Sequence, residues 1–484
     1  MVVRCVPGLE RVVMTELRAL SVSSRLVSPG TVFARSVSNR ELYASNALMR
    51  TASRILVPAC SFTARTFPEL ELAVKRLKRE EPLSTMLIPG AELSIRVRAG
   101  ASAPLFHTKA VASRLQQHLR VSKGPAMRFR SGDPEPAKPP MQRIDVIIEG
   151  EWVKILVDAS GDSLHDRGWR ADRSAKMPLK ESVAAGMLLS AGWDASFGEG
   201  RGGDADGPST SYGALMDPFC GSGAIPIEAA LIAIGMPAHL LSGRSFALQH
   251  WPAFEPGTWG SVMGEMKMLA AKADARRGSV PPILGSDRDA GAVEAAKTSA
   301  AAAGVADLVE FRHGSVSDLT PPAPLRGLTF ALPGLLLTNP PWGVRSGSKG
   351  SKGSKEKEAS SSSSEPKSAD SKSETRSHLY MKLGQLHKQK LEGWGLAVLV
   401  NDKRMGRSVS KNLYPGLEVD AGGQKATLVA SPNVHAAAPP TLMEAIPRGR
   451  PKPKGEDEEV AGGTSAAAGA TVSSGEDRHA ALAS

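Results

Sequence analysis

The second half of the chain alternates apolar, strand-like runs with helical segments, and several of the runs end in a polar or glycine-rich turn. Three runs end in "DPFCGSG", "GSDRD" and "LTNPPWG", and a further run, "GLAVLVND", follows them. This alternation predicts an α/β fold with a parallel sheet and crossover helices. Because the carboxyl ends of parallel strands meet at one edge, where open α/β sheets bind ligands, the turns predict a single site.

The turn "DPFCGSG" is of the kind that lets a ligand approach the backbone. Gly221 and Gly223 permit a tight turn, and the following helix directs free N–H groups and its positive dipole end towards a ligand. The turn lacks the third glycine of the dinucleotide fingerprint. The next acidic strand end, Asp287, comes 70 residues after Asp217 instead of about 20. NAD is therefore disfavoured, while Asp287 can still accept hydrogen bonds from ribose hydroxyls.

The run "LLLTNPPWG" ends in residues suited to hold an amine on a planar ring. Asn339 offers an amide oxygen, and Pro340 offers a carbonyl whose direction the paired prolines fix. Trp342 offers a flat face for an unstacked base. Two acceptors can aim the nitrogen lone pair at an electrophilic methyl group without a strong general base, because the amine proton becomes acidic as the methyl arrives. The alternative is a proline-rich turn with a packed tryptophan.

Positive charge is concentrated at the N-terminal end of the chain. The net charge is +11, and residues 1–160 contain 24 Lys and Arg against 14 Asp and Glu, an excess of +10. This distribution favours a polyanionic partner, of which nucleic acid is the commonest soluble one. The alternative is an ordinary solvated surface.

The cysteines and the apolar runs exclude several other classes of protein. Cys5, Cys60 and Cys220 lie far apart and form neither a metal-ligand pattern nor a disulfide framework, so we predict no metal site and a reducing compartment. No apolar run approaches the roughly 18 to 20 residues of a membrane span, and no signal-peptide pattern is present.

Two further regions differ in composition from the predicted sheet. Mixed helix and strand patterns in residues 1–160, such as "GLERVVMTELRAL" and "ELSIRVRA", predict a small α+β unit. Residues 346–377 hold 13 serines in 32 positions, with Lys and Glu and no large apolar side chain, and the tail from 436 is rich in Ala, Gly and Pro. Both segments are predicted to be disordered because they cannot bury enough apolar surface.

Several of these stretches together resemble a known family. The stretches "GLERVVMTEL", "SGDSLHDRGWR", "MPLKESVAAGMLLSAGW", "DPFCGSGAIPIEAAL", "GSDRDAGAVEAA" and "NPPWGV" are similar to the THUMP-domain guanine-N2 RNA methyltransferases, in particular the L-type half of the bacterial K/L-type large-subunit rRNA enzymes. The resemblance covers most of residues 1–435. It implies a ferredoxin-like unit at 1–60, an RNA-binding THUMP domain at 61–160, a Rossmann-like methyltransferase domain at 161–435 and a disordered tail at 436–484.

The resemblance also implies roles for individual residues, with S-adenosylmethionine as the cofactor. Ser315 stands where the family usually has an Asp that bonds the adenine amine, and Asp318 is the candidate substitute. Ser299 stands where relatives often carry Asn. The implied catalytic residues are Asn339, Pro340, Pro341 and Trp342; the implied cofactor-binding residues are Asp217, Phe219, Gly221, Gly223, Asp287, Ser315, Asp318, Lys180 and Glu181.

The leading hypothesis is methyl transfer to the N2 amine of a guanosine in structured RNA, with large-subunit rRNA ahead of tRNA as the substrate. DNA-adenine and release-factor glutamine methyltransferases share an Asn-Pro-Pro-aromatic motif but lack the basic N-terminal region. A non-catalytic RNA-binding assembly factor is the third alternative. We expect a monomer whose partner is RNA, with no membrane association, in the cytosol, a plastid or a mitochondrion.

Overall fold

The computed structural model describes residues 1–121, 141–170, 178–193, 212–322, 333–342, 369–420 and 423–437, with only the backbone described for 369–376 and 435–437. All of them fall within one unit, Met1–Ala445. The predicted tail beyond Ala437 and residues 346–368 of the predicted disordered insert lie outside the described residues.

The N-terminal part is a mixed α+β structure, as the sequence predicts. Its elements are β1 (Val2–Cys5), α1 (Glu10–Ala19), β2 (Ser24–Ser28), β3 (Thr31–Ala34), α2 (Asn39–Leu48), β4 (Ala52–Thr63), α3 (Phe67–Leu77), α4 (Leu83–Met86), β5 (Leu93–Ala99), α5 (Thr108–Leu119), β6 (Gln142–Glu149) and β7 (Trp152–Asp158). The strands form one sheet in the order β2-β3-β1-β4-β7-β6-β5.

The long strand β4 joins the two domains that the sequence separates at residue 60. It pairs with β1 through Ala52–Leu56 and with β7 through Leu56–Thr63, so its hydrogen bonds run continuously across the predicted boundary. The predicted ferredoxin-like and THUMP units therefore share one sheet. The division into domains at residue 60 stays a prediction.

The second part contains the predicted parallel sheet. Its elements are α6 (Glu181–Ser190), β8 (Leu215–Asp217), α7 (Ala224–Ala233), α8 (Pro256–Arg276), β9 (Ile283–Asp287), α9 (Ala290–Ala302), β10 (Val309–His313), β11 (Leu335–Thr338), α10 (Ala369–Lys390), β12 (Gly395–Val400), α11 (Lys403–Val409), β13 (Tyr414–Asp420), β14 (Lys425–Ala430) and α12 (Pro432–Ala437). The strand order is β10-β9-β8-β11-β12-β14-β13. The first five strands are parallel, and β14 and β13 add an antiparallel edge.

Two helices, α6 and α7, are buried on nearly all sides. An isolated helix in water keeps a polar face, so a helix that is apolar all round must lie between other elements. Here α1 packs on α6: a Cβ on Gly186 would lie 2.5 Å from a methyl carbon of Leu9. Helix α6 in turn packs on α7. The same apolar core therefore continues from the first sheet into the second part.

A close backbone contact also joins the N-terminal turn to β13. The amide of Asp420 donates to the carbonyl of Pro7 at 3.0 Å. Gly8 has a φ of +104°, and a Cβ at this position would overlap the carbonyl of Glu418. Both the left-handed backbone and the lack of space require glycine here.

Helices extend into both of the segments that the sequence predicts to be disordered. Helix α10 begins at Ala369, inside the predicted insert 346–377, so that prediction is wrong for residues 369–377. The apolar residues Tyr380, Leu383 and Leu386 anchor the helix in a core cluster. Once a helix is nucleated, adding residues costs little, which accounts for its extension towards the serine-rich region. Helix α12 likewise includes residues 436 and 437 of the predicted tail.

Candidate active site

The glycine turn after β8 has one packed position and one open position. Gly223 caps α7 with a φ of +88°, and a Cβ there would lie 3.0 Å from Ile227 and 3.1 Å from Ala296. Gly221 has a φ of +50°, and apart from Gly221 and its two chain neighbours no heavy atom of the described residues lies within 4 Å of its Cβ position. The turn is therefore packed against α9 on one side and leaves space beside Gly221 on the other.

Asp287, at the end of β9, connects three of the strand ends. One carboxylate oxygen accepts from the amide of Gly221 at 3.0 Å, and the other accepts from the amide of Asp289 at 3.0 Å. The carbonyl of Asp287 accepts from the amide of Gly314, after β10, at 3.0 Å. Because a carboxylate oxygen has more than one lone pair, Asp287 keeps acceptor capacity for a ligand. The sequence predicts its place at the edge but not its bond to the glycine turn.

Asp217, at the end of β8, is buried beneath this turn. Its carboxylate accepts from the hydroxyl of Thr338 at 2.5 Å and from the amide of Phe219 at 3.1 Å. The ring of Phe219 packs against a core cluster. Thr338 was not among the predicted site residues, although it directly precedes Asn339. Thr338 joins β11 to β8 through this hydrogen bond and so fixes the distance between two of the polar strand ends.

Burial raises the pKa of Asp217 from 3.8 to about 7; the nearby Asp287 contributes to this rise, and the hydrogen bonds from Thr338 and Phe219 oppose it. The folded protein therefore holds this proton up to about pH 7, whereas the unfolded chain releases it near pH 4. Between these values the unfolded state binds fewer protons, so this group makes the protein less stable as the pH rises, by at most about 1.4 kcal/mol per pH unit.

We expect Asp217→Asn, which does not titrate, to gain stability relative to the parent between about pH 4 and about pH 7. Urea unfolding of both proteins over this pH range measures the difference in their free energies of unfolding. Asn keeps an oxygen that can accept from Thr338, which limits other effects of the substitution. A difference that stays constant with pH would contradict the raised pKa.

The segment Asn339–Trp342 follows β11 at the same edge. The side-chain oxygen of Asn339 is buried and has no hydrogen-bond partner among the described residues. Pro340 is buried and Pro341 is exposed. The indole N–H of Trp342 donates to the carbonyl of Leu399 at 3.3 Å, so the half-buried ring is tied to the end of β12.

Ser315 and Asp318 lie in an exposed turn just after β10. The amide of Asp318 donates to the carbonyl of Ser315 at 3.0 Å, which closes the turn and brings the two residues together. Both side chains are exposed. Ser299, the other departure from the family pattern, is instead buried within α9.

Lys180 and Glu181, at the start of α6, line a cavity of about 200 Å³ together with His165, Asp166, Arg170, Pro178 and Leu179. Lys180 is exposed, whereas the Glu181 carboxylate is buried and accepts from Arg170 at 2.8 Å. Arg170 also donates to the hydroxyl of Ser222 in the glycine turn at 2.8 Å. Burial raises the pKa of Glu181, and the guanidinium of Arg170 opposes this effect.

The structure thus gathers the predicted residues into two neighbouring groups. The strand ends of β8, β9, β10 and β11 bring together Asp217, Gly221, Asp287, the Ser315 turn and Asn339. Arg170, which was not among the predicted site residues, links the Lys180–Glu181 cavity to the glycine turn. Within the described ranges, no group of three His, Cys, Asp or Glu could hold a metal ion. No helix in those ranges is both long and apolar enough to cross a membrane.

This sheet order, with a glycine turn after one strand and Asn-Pro-Pro-Trp after its neighbour, defines a Rossmann-like methyltransferase fold. Residues 208–362 match the family model UPF0020, the RMKL-like methyltransferase domain. Residues 1–56 match the RlmL ferredoxin-like domain. The resemblance predicted from the motifs is therefore confirmed for these two stretches of the chain.

Known proteins support the same assignment of fold. The "Ribosomal RNA large subunit methyltransferase K/L" of Shewanella amazonensis is 32% identical over 295 residues, covering 60% of this chain and 34% of that protein. The chain spans about a third of the length of the curated relatives it matches.

Two solved structures have the same fold, each with a TM-score of 0.65 and covering 89% of this chain. One is SMU.472, complexed with SAH, at 23% identity over 97% of its chain. The other is a predicted N6-adenine-specific DNA methylase from Listeria monocytogenes, at 22% identity over 96% of its chain. At these identities the likeness concerns the fold alone.

Proposed function

We propose that this protein transfers a methyl group from S-adenosylmethionine to the exocyclic N2 amine of a guanosine in RNA, with large-subunit rRNA as the substrate. The observation that carries the proposal is the buried side-chain oxygen of Asn339 at the end of β11, which has no hydrogen-bond partner among the described residues. A buried acceptor without a partner costs free energy, so such a group is retained where a ligand supplies the missing donor.

The strand ends fit S-adenosylmethionine. A side chain at position 221 would project into the open space beside Gly221. This space adjoins the Asp287 carboxylate, which has acceptor capacity suited to ribose hydroxyls. The exposed turn of Ser315 and Asp318 provides polar groups for the adenine amine. Lys180 and Glu181 are the remaining proposed contacts. When bound, this cofactor supplies an electrophilic methyl group.

Asn339 and Pro340 are proposed to hold the target amine. The lone pair of an amine on a planar ring is delocalised into the ring, which makes the amine a poor nucleophile. Hydrogen bonds to the Asn339 oxygen and the Pro340 carbonyl orient this lone pair. The same acceptors stabilise the positive charge that grows on the nitrogen during the reaction. No general base among these residues is required. The new N–C bond would form as the S–C bond of the cofactor breaks, and the acidified N–H would release its proton to solvent.

Trp342 is proposed to stack on the target base, with Pro341 shaping the same turn. The hydrogen bond from the indole to Leu399 holds the ring in one orientation, so little entropy is lost when a base stacks on it. Base stacking on an aromatic side chain contributes roughly 1 to 3 kcal/mol. A base can reach this ring only after it leaves its helix or loop stack.

RNA is favoured as the substrate by the basic N-terminal part and by the printed names of the relatives. Residues 1–160 hold an excess of +10 in charge, and phosphate contacts dominate affinity for nucleic acids. The matched curated relatives are named as large-subunit rRNA methyltransferases. A DNA-adenine substrate remains the second candidate, because the same four-residue turn can hold the amine of adenine.

Methyl transfer from labelled S-adenosylmethionine tests this function directly. We expect label in large-subunit rRNA from a strain lacking this enzyme class, and nucleoside analysis should identify N2-methylguanosine. Small-subunit rRNA, tRNA, DNA and release factors serve as parallel acceptors. Label confined to DNA or protein would overturn the proposal, and cofactor binding with no acceptor labelled would favour a non-catalytic RNA-binding role.

Asp287→Ala is expected to weaken cofactor binding more than it slows turnover at saturating cofactor. A charge-assisted hydrogen bond contributes roughly 1.5 to 3 kcal/mol, so the Kd should rise at least about tenfold. The loss of the bond to the Gly221 amide adds to this effect, because the turn becomes less well held. Calorimetry gives the Kd. Glu310→Ala, on the neighbouring exposed surface of β10, is the matched acidic control. Equal affinities for Asp287→Ala and the parent would place the ribose elsewhere.

A further inference from the structure

Helix α11 begins beside the proposed target site. Strands β11 and β12 are parallel neighbours. The indole N–H of Trp342 donates a hydrogen bond to the carbonyl of Leu399, near the end of β12. The chain then passes through Asn401 and Asp402 and enters α11 at Lys403. The start of this helix is thus four residues from the carbonyl that holds Trp342.

One side of α11 is anchored in the protein. Gly406 and Val409 are buried, and Met405 packs against a core cluster. The Asp402 carboxylate accepts from the amide of Arg404 at 2.8 Å and so caps the first turn. A Cβ on Gly384 of α10 would overlap the carbonyl of Val409, so the two helices lie in close contact. These contacts fix the orientation of α11.

The opposite side of α11 carries exposed cations, Lys403, Arg404 and Arg407, which we call the α11 basic face. Arg404 and Arg407 follow Lys403 by one and by four residues, which places all three on one side of a helix. In the part of the chain that the structure describes, none of the three forms an ion pair. By contrast, Arg40 and Arg312, also basic residues at the surface, pair with Glu265 and Glu310. The nearest carboxylate in sequence, Asp402, is engaged in capping the helix.

We propose that the α11 basic face binds the phosphates of the RNA strand on either side of the target nucleotide. This inference rests on the proposed function, because it takes Asn339 and Trp342 as the place of the target base. A base held at this edge carries its own backbone phosphates with it. Cations beside it that form no ion pair with any described residue complement the charge of these phosphates. Guanidinium groups bind phosphate oxygens through paired N–H groups. Such contacts position the strand and read no sequence.

The test compares RNA binding by the parent and by the variant Lys403→Ala/Arg404→Ala/Arg407→Ala. The probe is a labelled stem-loop RNA with a guanosine in its loop, titrated over a series of salt concentrations without cofactor. Each phosphate contact contributes about 0.7 to 0.9 to the slope of log affinity against log salt, so the slope should fall by about 2 to 3. We expect the RNA affinity to fall by about tenfold or more at low salt.

Two further variants control for charge and for folding. The variant Lys267→Ala/Lys272→Ala removes two exposed cations from α8, the helix that leads into the amino-terminal end of β9. We expect its salt slope to stay close to that of the parent. Lys403→Arg/Arg404→Lys/Arg407→Lys keeps the charge and should recover most of the binding. Melting temperatures of all variants report on folding.

The outcomes separate this inference from the proposed function. Equal salt slopes for the parent and the triple alanine variant overturn the role of the α11 basic face, whatever the methylation result. An equal loss in the α8 control also overturns it, because the effect would then be one of net charge. If the parent methylates no RNA, the proposed function fails. The salt slopes still report whether the α11 basic face binds RNA phosphates, because they measure RNA binding and not methylation.

Discussion

Asn339→Ala is expected to abolish nearly all methyl transfer while leaving S-adenosylmethionine binding almost unchanged. The buried Asn339 oxygen is assigned to the target amine, not to the cofactor. Its hydrogen bond orients the nitrogen lone pair and strengthens as positive charge grows there, so its loss is felt mainly in the transition state. Misalignment of the reacting groups alone can slow a reaction about a hundredfold.

Single-turnover methylation of the RNA at saturating cofactor measures this effect, and calorimetry measures cofactor binding in the same variant. Asn412→Ala is the matched control, because Asn412 is an exposed asparagine on the surface after α11. We expect the control to react at the parental rate. If Asn339→Ala also reacts at that rate, the amine-holding role is wrong. If it loses cofactor affinity as well, Asn339 belongs to the cofactor site.

Glu228→Ala is expected to destabilise the protein by about 3 to 5 kcal/mol, the usual cost of leaving buried charges without their partner. Glu228, on α7, is fully buried, and its two oxygens accept separately from Arg50 at 3.1 Å and from Arg167 at 3.2 Å. Arg50 follows α2 of the N-terminal part, and Arg167 lies in the segment after β7. Without Glu228, two buried guanidinium groups would face each other.

The control is Glu265→Ala, which removes another contact between the same two parts. Glu265, on α8, pairs with Arg40 of α2 at 2.7 Å, but both side chains are well exposed to solvent. An exposed pair is worth about 0 to 1 kcal/mol. Urea unfolding of both variants measures the free energies of unfolding. If Glu228→Ala lowers the free energy of unfolding no more than Glu265→Ala does, burial of the Glu228 ion pairs does not determine how strongly the two parts are held together.

The strand ends at Asp217, Asp287 and Asn339 could be predicted because the signals are local. An apolar run that stops at a polar residue, followed by a helical pattern, indicates both the strand and its carboxyl end. The parallel arrangement then places these ends at one edge, since crossover connections leave few alternatives. The helix α6 and its stop at Gly192, which has a φ of +85°, follow from the same kind of local pattern.

The contacts that hold the site together could not be predicted, because they join residues far apart in the chain. The hydrogen bond from Thr338 to Asp217 spans 121 residues, and the bond from Arg170 to Ser222 spans 52. Nothing in the sequence around Arg170 distinguishes a structural arginine from a solvated one. Its environment is created only when α6 and the glycine turn come together.

The continuity of the first sheet is a second feature that local patterns do not contain. The sequence predicts β4 as a strand, yet its pairing with both β1 and β7 depends on chain segments about 50 and 100 residues away. Composition likewise predicts disorder up to residue 377, whereas packing of Tyr380 and Leu383 stabilises a helix that begins at residue 369.

The sequence by itself determined the α/β class, the polar strand ends and the type of chemistry they suit, because periodicity and residue type act over a few neighbouring positions. Only the tertiary structure decided which side chains remain available to bind a ligand. It engages Glu181 with Arg170 and Asp217 with Thr338. Among the described residues, it leaves the side-chain oxygen of Asn339 without a hydrogen-bond partner and the cations of the α11 basic face without ion pairs. Availability depends on burial and on distant neighbours, and these exist only once the chain has folded.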